Sequence, residues 1–187
     1  MELRTLVRAD VAARNPVDER EARSIAEFLA AFDRLASPFD EHADPVHVTG
    51  SAIVVGPRGV VLLRHKRLGS WLQPGGHIDD GATPWEAALR ETIEETGLAA
   101  ARLRAPDGSG PDGRPGLAHV DVHAGGRGHT HLDLRYLVDV GVDGGDADPV
   151  PPEGESQEIG WYAWDEAIAI ADDGLRGALL ALRHDLT

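Results

Sequence analysis

The chain has 187 residues, 42% of them hydrophobic and 27% charged, and no cysteine. That length suits one domain with an appendage, and the missing cysteine excludes disulfides, thiolate metal sites and cysteine nucleophiles. A formal net charge of −14 repels DNA, and no segment has the ~20 consecutive apolar residues of a membrane span.

At the N-terminus, MELRTLVRAD scatters charge and has no apolar h-region, so no signal peptide is expected and a cytoplasmic protein fits. Residues 1–45 read as a helical extension. Asn15 can cap a helix that Pro16 opens, with Asp18, Glu19 and Glu21 in its first turn. Ile25, Phe28, Leu29, Phe32 and Leu35 follow at helical spacing, and Ser37-Pro38 ends the pattern. Such a helix is expected to pack on a main domain of residues 46–187.

From Val46 the period changes. VHVTGSAIVVG and GVVLLRHKR read as two strands joined near Gly56-Pro57-Arg58-Gly59, and LGSWLQPGGHIDDGA reads as a loop. ARLRA reads as a short strand, and AHVDVHA and THLDLRYLVDV as a hairpin across Gly125-Gly126-Arg127-Gly128. DGGDADPVPPEGES is a polar Gly/Pro-rich loop, IGWYAW a late strand, and DEAIAIA and LRGALLALRH terminal helices. Strands mixed with helices predict an α/β fold with a mixed central sheet.

The helix after the long loop has signals at both ends. Thr83-Pro84-Trp85-Glu86 is a capping box with proline at the first helical position, and Gly97 marks the stop. At 100° per residue, Trp85, Ala88, Leu89, Thr92 and Ile93 form the expected buried face. Glu91, Glu94 and Glu95 share an adjacent arc at i, i+3 and i+4. Like charges at that spacing repel by a few tenths of a kcal/mol per pair, and a helix C-terminus disfavours anions by roughly 0.3–1 kcal/mol each. Either the three form a solvated acidic face, with Arg90 paired to Glu94, or they hold a hard divalent cation. The tight turn Trp71-Leu72-Gln73-Pro74-Gly75-Gly76, which feeds into this helix, favours the second reading.

The segment Gly76–Leu98, with Arg90-Glu91-Thr92-Ile93-Glu94-Glu95-Thr96-Gly97-Leu98 at its end, resembles the Nudix box, G-x5-E-x7-R-E-U-x-E-E-x-G-U. The resemblance implies an α/β/α sandwich and a Mg2+- (or Mn2+-) dependent pyrophosphohydrolase. Glu91, Glu94, Glu95 and the Gly76 carbonyl would hold metal, and Arg90 would orient a box carboxylate. A further glutamate from outside the box would fall at Glu158, with Glu153 and Glu155 as rivals. Two positions depart from the pattern: Ala82 stands where the first box glutamate belongs, and Thr92 at the first aliphatic site. Asp79, Asp80 and Glu86 are the carboxylates near enough in sequence to stand in for Ala82.

The hairpin is rich in histidine. His119, Asp121 and His123 alternate with valines; His129, His131, Asp133 and Arg135 alternate with Leu132, Leu134 and Tyr136. Each polar set therefore shares one face. Three readings stay open: a zinc site, a polar wall of the substrate cleft, or a solvated sheet face. Arg64, Gln73, Arg135 and His131 are candidate substrate contacts. Trp71, Trp161, Tyr162 and Trp164 would either stack on a base or pack the core.

The leading expectation is hydrolysis of a nucleoside diphosphate linked to another group, such as a nucleoside triphosphate or a nucleotide sugar. The alternative is a non-hydrolytic nucleotide or ADP-ribose sensor, motivated by Ala82. The isomerase branch of the superfamily is disfavoured because its chemistry resembles one needing cysteine. The expected partner is a small phosphorylated molecule, not DNA or membrane, and a homodimer is compatible.

Overall fold

The computed structural model describes residues 2–104, 114–141 and 147–186. Two helices come first, α1 (Leu3–Ala13) and α2 (Glu19–Phe32). Strands β1 (Val46–Gly56), β2 (Gly59–Arg64), β3 (Trp71–Leu72) and β4 (Gly75–His77) lead into α3 (Pro84–Thr96). Then follow β5 (Arg102–Arg104), β6 (Leu117–Ala124), β7 (Thr130–Asp139), β8 (Ile159–Tyr162), α4 (Trp164–Ile170) and α5 (Asp173–Leu186).

The eight strands form one sheet with the path β3-β2-β1-β7-β5; β4 also pairs β1, β6 pairs β7, and β8 pairs β2. Of these pairings β1·β7 is parallel and the others are antiparallel, so the sheet is mixed, as expected. The hairpin forms as its alternation predicts, in the register His119↔Arg135, Asp121↔Asp133 and His123↔His131.

Strand period explains the layers. Even-numbered side chains of β1, β6 and β7 (Val48, Ala52, Val54, Val120, Leu132, Leu134, Val138) bury with Val7, Val11, Phe28, Phe32, Ala87 and Ala88 of α1–α3. On the other face Ile53, Val55 and Leu137 pack with Leu175, Ala178, Leu179 and Leu182 of α5. The odd-numbered face changes character along β1 and β7. Its far end is apolar, whereas His47, Thr49, Ser51, His131, Asp133 and Arg135 make it polar. That polar half is where α3, β4 and the hairpin meet.

Three local expectations need correction. The N-terminal segment contains two helices, and α2 begins at Glu19, capped by Asp18, whose side chain accepts from the Glu21 amide. Asp18 outcompetes Asn15 because the start it sets places Glu21 where its carboxylate accepts from the amides of Val17 and Val120. Ser24 takes the Val122 amide, so α2 covers the edge of β6. The expected loop before α3 contains β3 and β4, strands too short and too glycine-rich to alternate. Within α3, Ile93 is exposed, while Thr92 and Thr96 are buried and donate back to the carbonyls of Ala88 and Thr92. The loop at 143–156 falls partly outside the described residues. No helix among the described residues is long and apolar enough to cross a membrane.

Candidate active site

α3 is fixed at both ends. The capping box forms: the Glu86 amide donates to Thr83 Oγ1 at 3.3 Å, and Glu86 Oε2 accepts from the Thr83 amide at 2.8 Å. Such a cap contributes about 0.5–2 kcal/mol. Gly97 stops the helix at φ 72°; a β-carbon there would sit 2.4 Å from the Val150 carbonyl oxygen. The last two turns then lie against β4.

That packing half-buries two of the three box glutamates, Glu91 and Glu95. Glu95 Oε2 accepts from the Gly75 amide at 3.0 Å. Glu91 lies so close to Gly76 that a β-carbon there would meet Glu91 Oε1 at 2.2 Å, so a side chain at that position would displace the carboxylate. Burial pushes Glu95 up to about 7, and the charges of Glu91, Glu155 and Glu94 add to it against the Gly75 hydrogen bond. Glu91 is also raised, first by burial and then by Glu94 and Glu155, despite Arg90. Two carboxylates thus lie along the Gly75-Gly76 strand, where burial and like charges outweigh the compensation that Arg90 and the Gly75 amide give their ionised forms. Oxygen donors whose charge calls for a cation suit a hard divalent ion.

Glu94 stands apart. It is exposed and pairs with Arg90 at 2.7 Å. Arg90 is a hub: it also reaches Asp79 at 2.9 Å, Glu91 at 3.0 Å and the His77 carbonyl at 2.9 Å. Of the three carboxylates near Ala82, Asp79 joins this hub and lines the cleft, whereas Glu86 is spent on the helix cap.

The cleft has a volume of about 620 Å³, within the usual range for small-molecule sites. Gln73, Gly76, Glu91, Glu95, Asp133 and His131 are among its walls. Its floor is a buried polar network. Asp133 accepts from Thr49 Oγ1 at 2.9 Å, Ser51 Oγ at 2.7 Å and Arg135 Nε at 3.1 Å. Asp121 accepts from Arg135 Nη2 at 3.2 Å and pairs with His123 Nδ1 at 3.2 Å. Burial opposes charge on both Asp121 and His123, yet their hydrogen bond and the neighbouring charges together outweigh it, Arg135 and Arg20 helping to lower Asp121 and Asp133 helping to raise His123. This network excludes a solvated sheet face for the hairpin.

The structure separates the other candidates. Gln73 reaches Ser51 Oγ at 3.2 Å from the cleft wall. Arg135 is buried, and its guanidinium serves Asp133, Asp121, His119 and the Gly174 carbonyl, so it builds the floor rather than meeting substrate. Arg64 and Glu158 pair with each other at 3.1 Å, both exposed and outside the cleft lining. Glu155 is the loop carboxylate whose charge is felt at Glu91 and Glu95. Arg67, which sequence reasoning passed over, lines the cleft beside Gly126. The four aromatics do not line it: Trp71 packs edge-on against Tyr162 at 5.2 Å, and Trp161 donates to the Ala147 carbonyl. His131 does line it, held at about 4 by burial and by His123 and His47.

A family model of the NUDIX domain matches residues 45–181. A Mycobacterium tuberculosis protein with the provisional name 8-oxo-dGTP diphosphatase 3 is 33% identical over 111 residues, 57% of this chain and 45% of the relative. A Brucella ovis RNA pyrophosphohydrolase is 34% identical over 96 residues, 50% of this chain and 53% of the relative. The chain therefore spans about half the length of these curated relatives. A crystal structure of a NUDIX-family hydrolase from Clostridium perfringens superposes with a TM-score of 0.59 at 28% identity, covering 75% of this chain and 95% of that one. The α3 box, its glycine-rich approach strand and the mixed sheet agree with that match, and the chain belongs to the NUDIX family.

Proposed function

We propose that the chain is a divalent-metal-dependent pyrophosphohydrolase acting on a nucleoside diphosphate linked to another group. One observation carries this reading: Glu91 and Glu95 are half-buried against the Gly75-Gly76 strand, at the wall of a cleft of substrate size. The names of the Mycobacterium and Brucella relatives support the substrate class.

Glu91, Glu95 and the Gly76 carbonyl would hold Mg2+ or Mn2+. When bound, the ion supplies charge neutralisation for the diphosphate and makes water a better nucleophile. The chain's own residues set the geometry. The Gly75 amide holds Glu95, and Arg90 holds Glu91 while tying down Asp79. Water attacks one phosphorus, its proton passes to a carboxylate of this cluster, the anhydride P–O bond breaks, and the other phosphate leaves. Arg67, which lines the cleft beside Gly126, would meet a phosphate. Residues 1–45 serve as a helical extension to the catalytic unit of residues 46–187.

The test is a substrate panel of nucleoside triphosphates, nucleotide sugars, dinucleoside polyphosphates and 5′-triphosphorylated RNA, with Mg2+ and with Mn2+, and products identified by mass. Metal-dependent release that falls at least about 100-fold in Glu91→Gln and Glu95→Gln is expected. Binding of nucleotide without release above background would instead make the chain a sensor.

A further inference from the structure

Beside the carboxylates lies a second group of metal-ligating side chains, of different chemistry. His47 on β1, His77 on β4 and His131 on β7 come from three neighbouring strands, in the registers His47↔His131 and Thr49↔His77. Their odd-numbered positions put them on the polar face of the sheet. The ring centroids form a nearly equilateral triangle, 5.1 Å for His47–His77, 5.2 Å for His47–His131 and 5.4 Å for His77–His131. One ligand atom from each lies within 4.8 Å of the other two.

The hydrogen bonds around the triangle prepare two of its members as ligands. His47 is fully buried, and its Nδ1 lies 3.1 Å from the Asp44 carbonyl. A carbonyl only accepts, so Nδ1 carries the proton and Nε2 carries a lone pair. That Nε2 is buried with no hydrogen-bond partner among the described residues. Buried polar atoms are rarely left in that state. His77 Nδ1 faces the Glu41 carboxylate at 3.0 Å, which in the same way leaves its Nε2 for another partner. A backbone carbonyl or a carboxylate behind each imidazole is the outer arrangement found at metal-bound histidines. Both outer partners come from the short segment between α2 and β1. His123, the histidine beside His131, is committed to Asp121 instead.

We infer that His47, His77 and His131 form a trihistidine site for a borderline transition-metal ion, Zn2+ foremost, separate from the carboxylate site on α3. Imidazole donors select Zn, Cu, Ni or Fe over Mg2+, and three neutral histidines leave a fourth position open for water or ligand. A tetrahedral ion with Zn–N bonds of about 2.0–2.1 Å sets its ligand atoms about 3.4 Å apart, so the rings close on it by about an ångström. His77 and His131 line the cleft with His47 behind them, so the ion is reached from the substrate side. His77 directly follows Gly76, which places the two sites next to each other along β4. The hairpin alone does not make this site, because two of its three ligands lie outside it.

The test uses the full-length protein stripped of metal, titrated with Zn2+ by calorimetry and with Co2+ by visible absorption. The variants are His77→Ala, whose side chain is 41% exposed, His131→Ala, and the pair Glu91→Gln/Glu95→Gln. Wild type and the glutamine pair are expected to bind one equivalent of Zn2+ and to show the intense visible bands of four- or five-coordinate Co2+. Both histidine variants should bind at least 100-fold more weakly and lose those bands, while their metal-free melting and far-ultraviolet circular dichroism match wild type. Equal Zn2+ affinity in wild type and His77→Ala would overturn the site. So would binding that disappears only in the glutamine pair, which would put the ion on α3.

Discussion

Glu95 Oε2 takes its hydrogen bond from the Gly75 amide at 3.0 Å, and that bond holds a half-buried carboxylate within the field of its neighbour Glu91. The single donor does not offset burial, which holds Glu95 at about 7 instead of its ordinary 4.5. In metal-free protein Glu95 therefore binds a proton in the folded state that the unfolded state has released between pH 4.5 and 7. The stabilisation is complete below the lower value and lost as pH rises through the upper one. Its size is on the order of 3 kcal/mol, and Glu91 adds in the same direction. In EDTA, denaturant melts of wild type and Glu95→Gln should agree most closely towards pH 5, where the protonated carboxyl resembles the neutral amide, and separate towards pH 7.5, where wild type falls below the variant. Mg2+ should reverse the trend, stabilising wild type more at pH 8 than at pH 5. A difference that stays flat with pH would show Glu95 titrating normally.

Arg90 ties together Asp79, Glu91, Glu94 and the strand carrying His77. Removing it leaves Glu91 without its cation and frees the loop that bears Asp79. Arg90→Lys retains charge but not the fork that spans several carboxylates. We expect it to weaken Mg2+ activation about 10–100-fold, read as a higher half-saturating Mg2+ concentration, with a small change in melting temperature. Asp79→Asn should move the same parameter in the same direction. Glu86→Ala should not, since Glu86 is committed to the Thr83 cap; it should cost about 1 kcal/mol of stability instead. If Glu86→Ala rather than Asp79→Asn altered metal activation, Glu86 would be the carboxylate replacing the one missing at Ala82.

These assignments show where a sequence stops being legible. The α3 boundaries were legible because both ends carry specific chemistry, a capping box and a left-handed glycine, and the hairpin because period-two alternation survives in its residues. The box carboxylates were found for the same reason: on a helix, spacing is geometry. What spacing cannot give is burial. Glu94 sits on the same arc as Glu91 and Glu95, yet β4 covers only the latter two. Nor does it reveal partners far apart in the chain. Arg64 looked like a phosphate contact until Glu158, 94 residues on, proved to hold it. His47 and His77 gave no signal of their own, because their meaning depends on β1, β4 and β7 being neighbours.

The loop before β8 offers three glutamates, Glu153, Glu155 and Glu158, and the structure distinguishes the last two. Glu155 contributes to the raised proton affinity of Glu91 and Glu95, whereas Glu158 is turned to Arg64 outside the cleft. Glu155→Gln should lower kcat by roughly 10-fold or more, as expected for a group that helps move a proton or fix the metal. Glu158→Gln should leave steady-state kinetics near wild type, because an exposed ion pair contributes only about 0–1 kcal/mol. Arg67→Ala should raise KM, while Arg64→Ala should not. The opposite ranking in either pair would return the site to the positions first suggested by the chain order.

Arg135 was a candidate substrate contact, and its surroundings give it a structural role instead. It is 2% exposed and lies between Asp121 and Asp133, which are themselves buried. Replacing it by methionine keeps much of the volume but leaves Asp133 without its cation and Asp121 with only Arg20 and His123, a loss of about 3–5 kcal/mol when one member of a buried ion pair is removed. Arg135→Met should thus unfold at markedly lower denaturant concentration. Adding Asp133→Asn should recover part of that loss, because the charge left unpaired would be gone, and a neutral amide can still bond Thr49 and Ser51. Under conditions where Arg135→Met remains folded, KM should stay near wild type. A large rise in KM with unchanged stability would mean that the guanidinium meets a phosphate after all, and that the floor of the cleft opens when substrate binds.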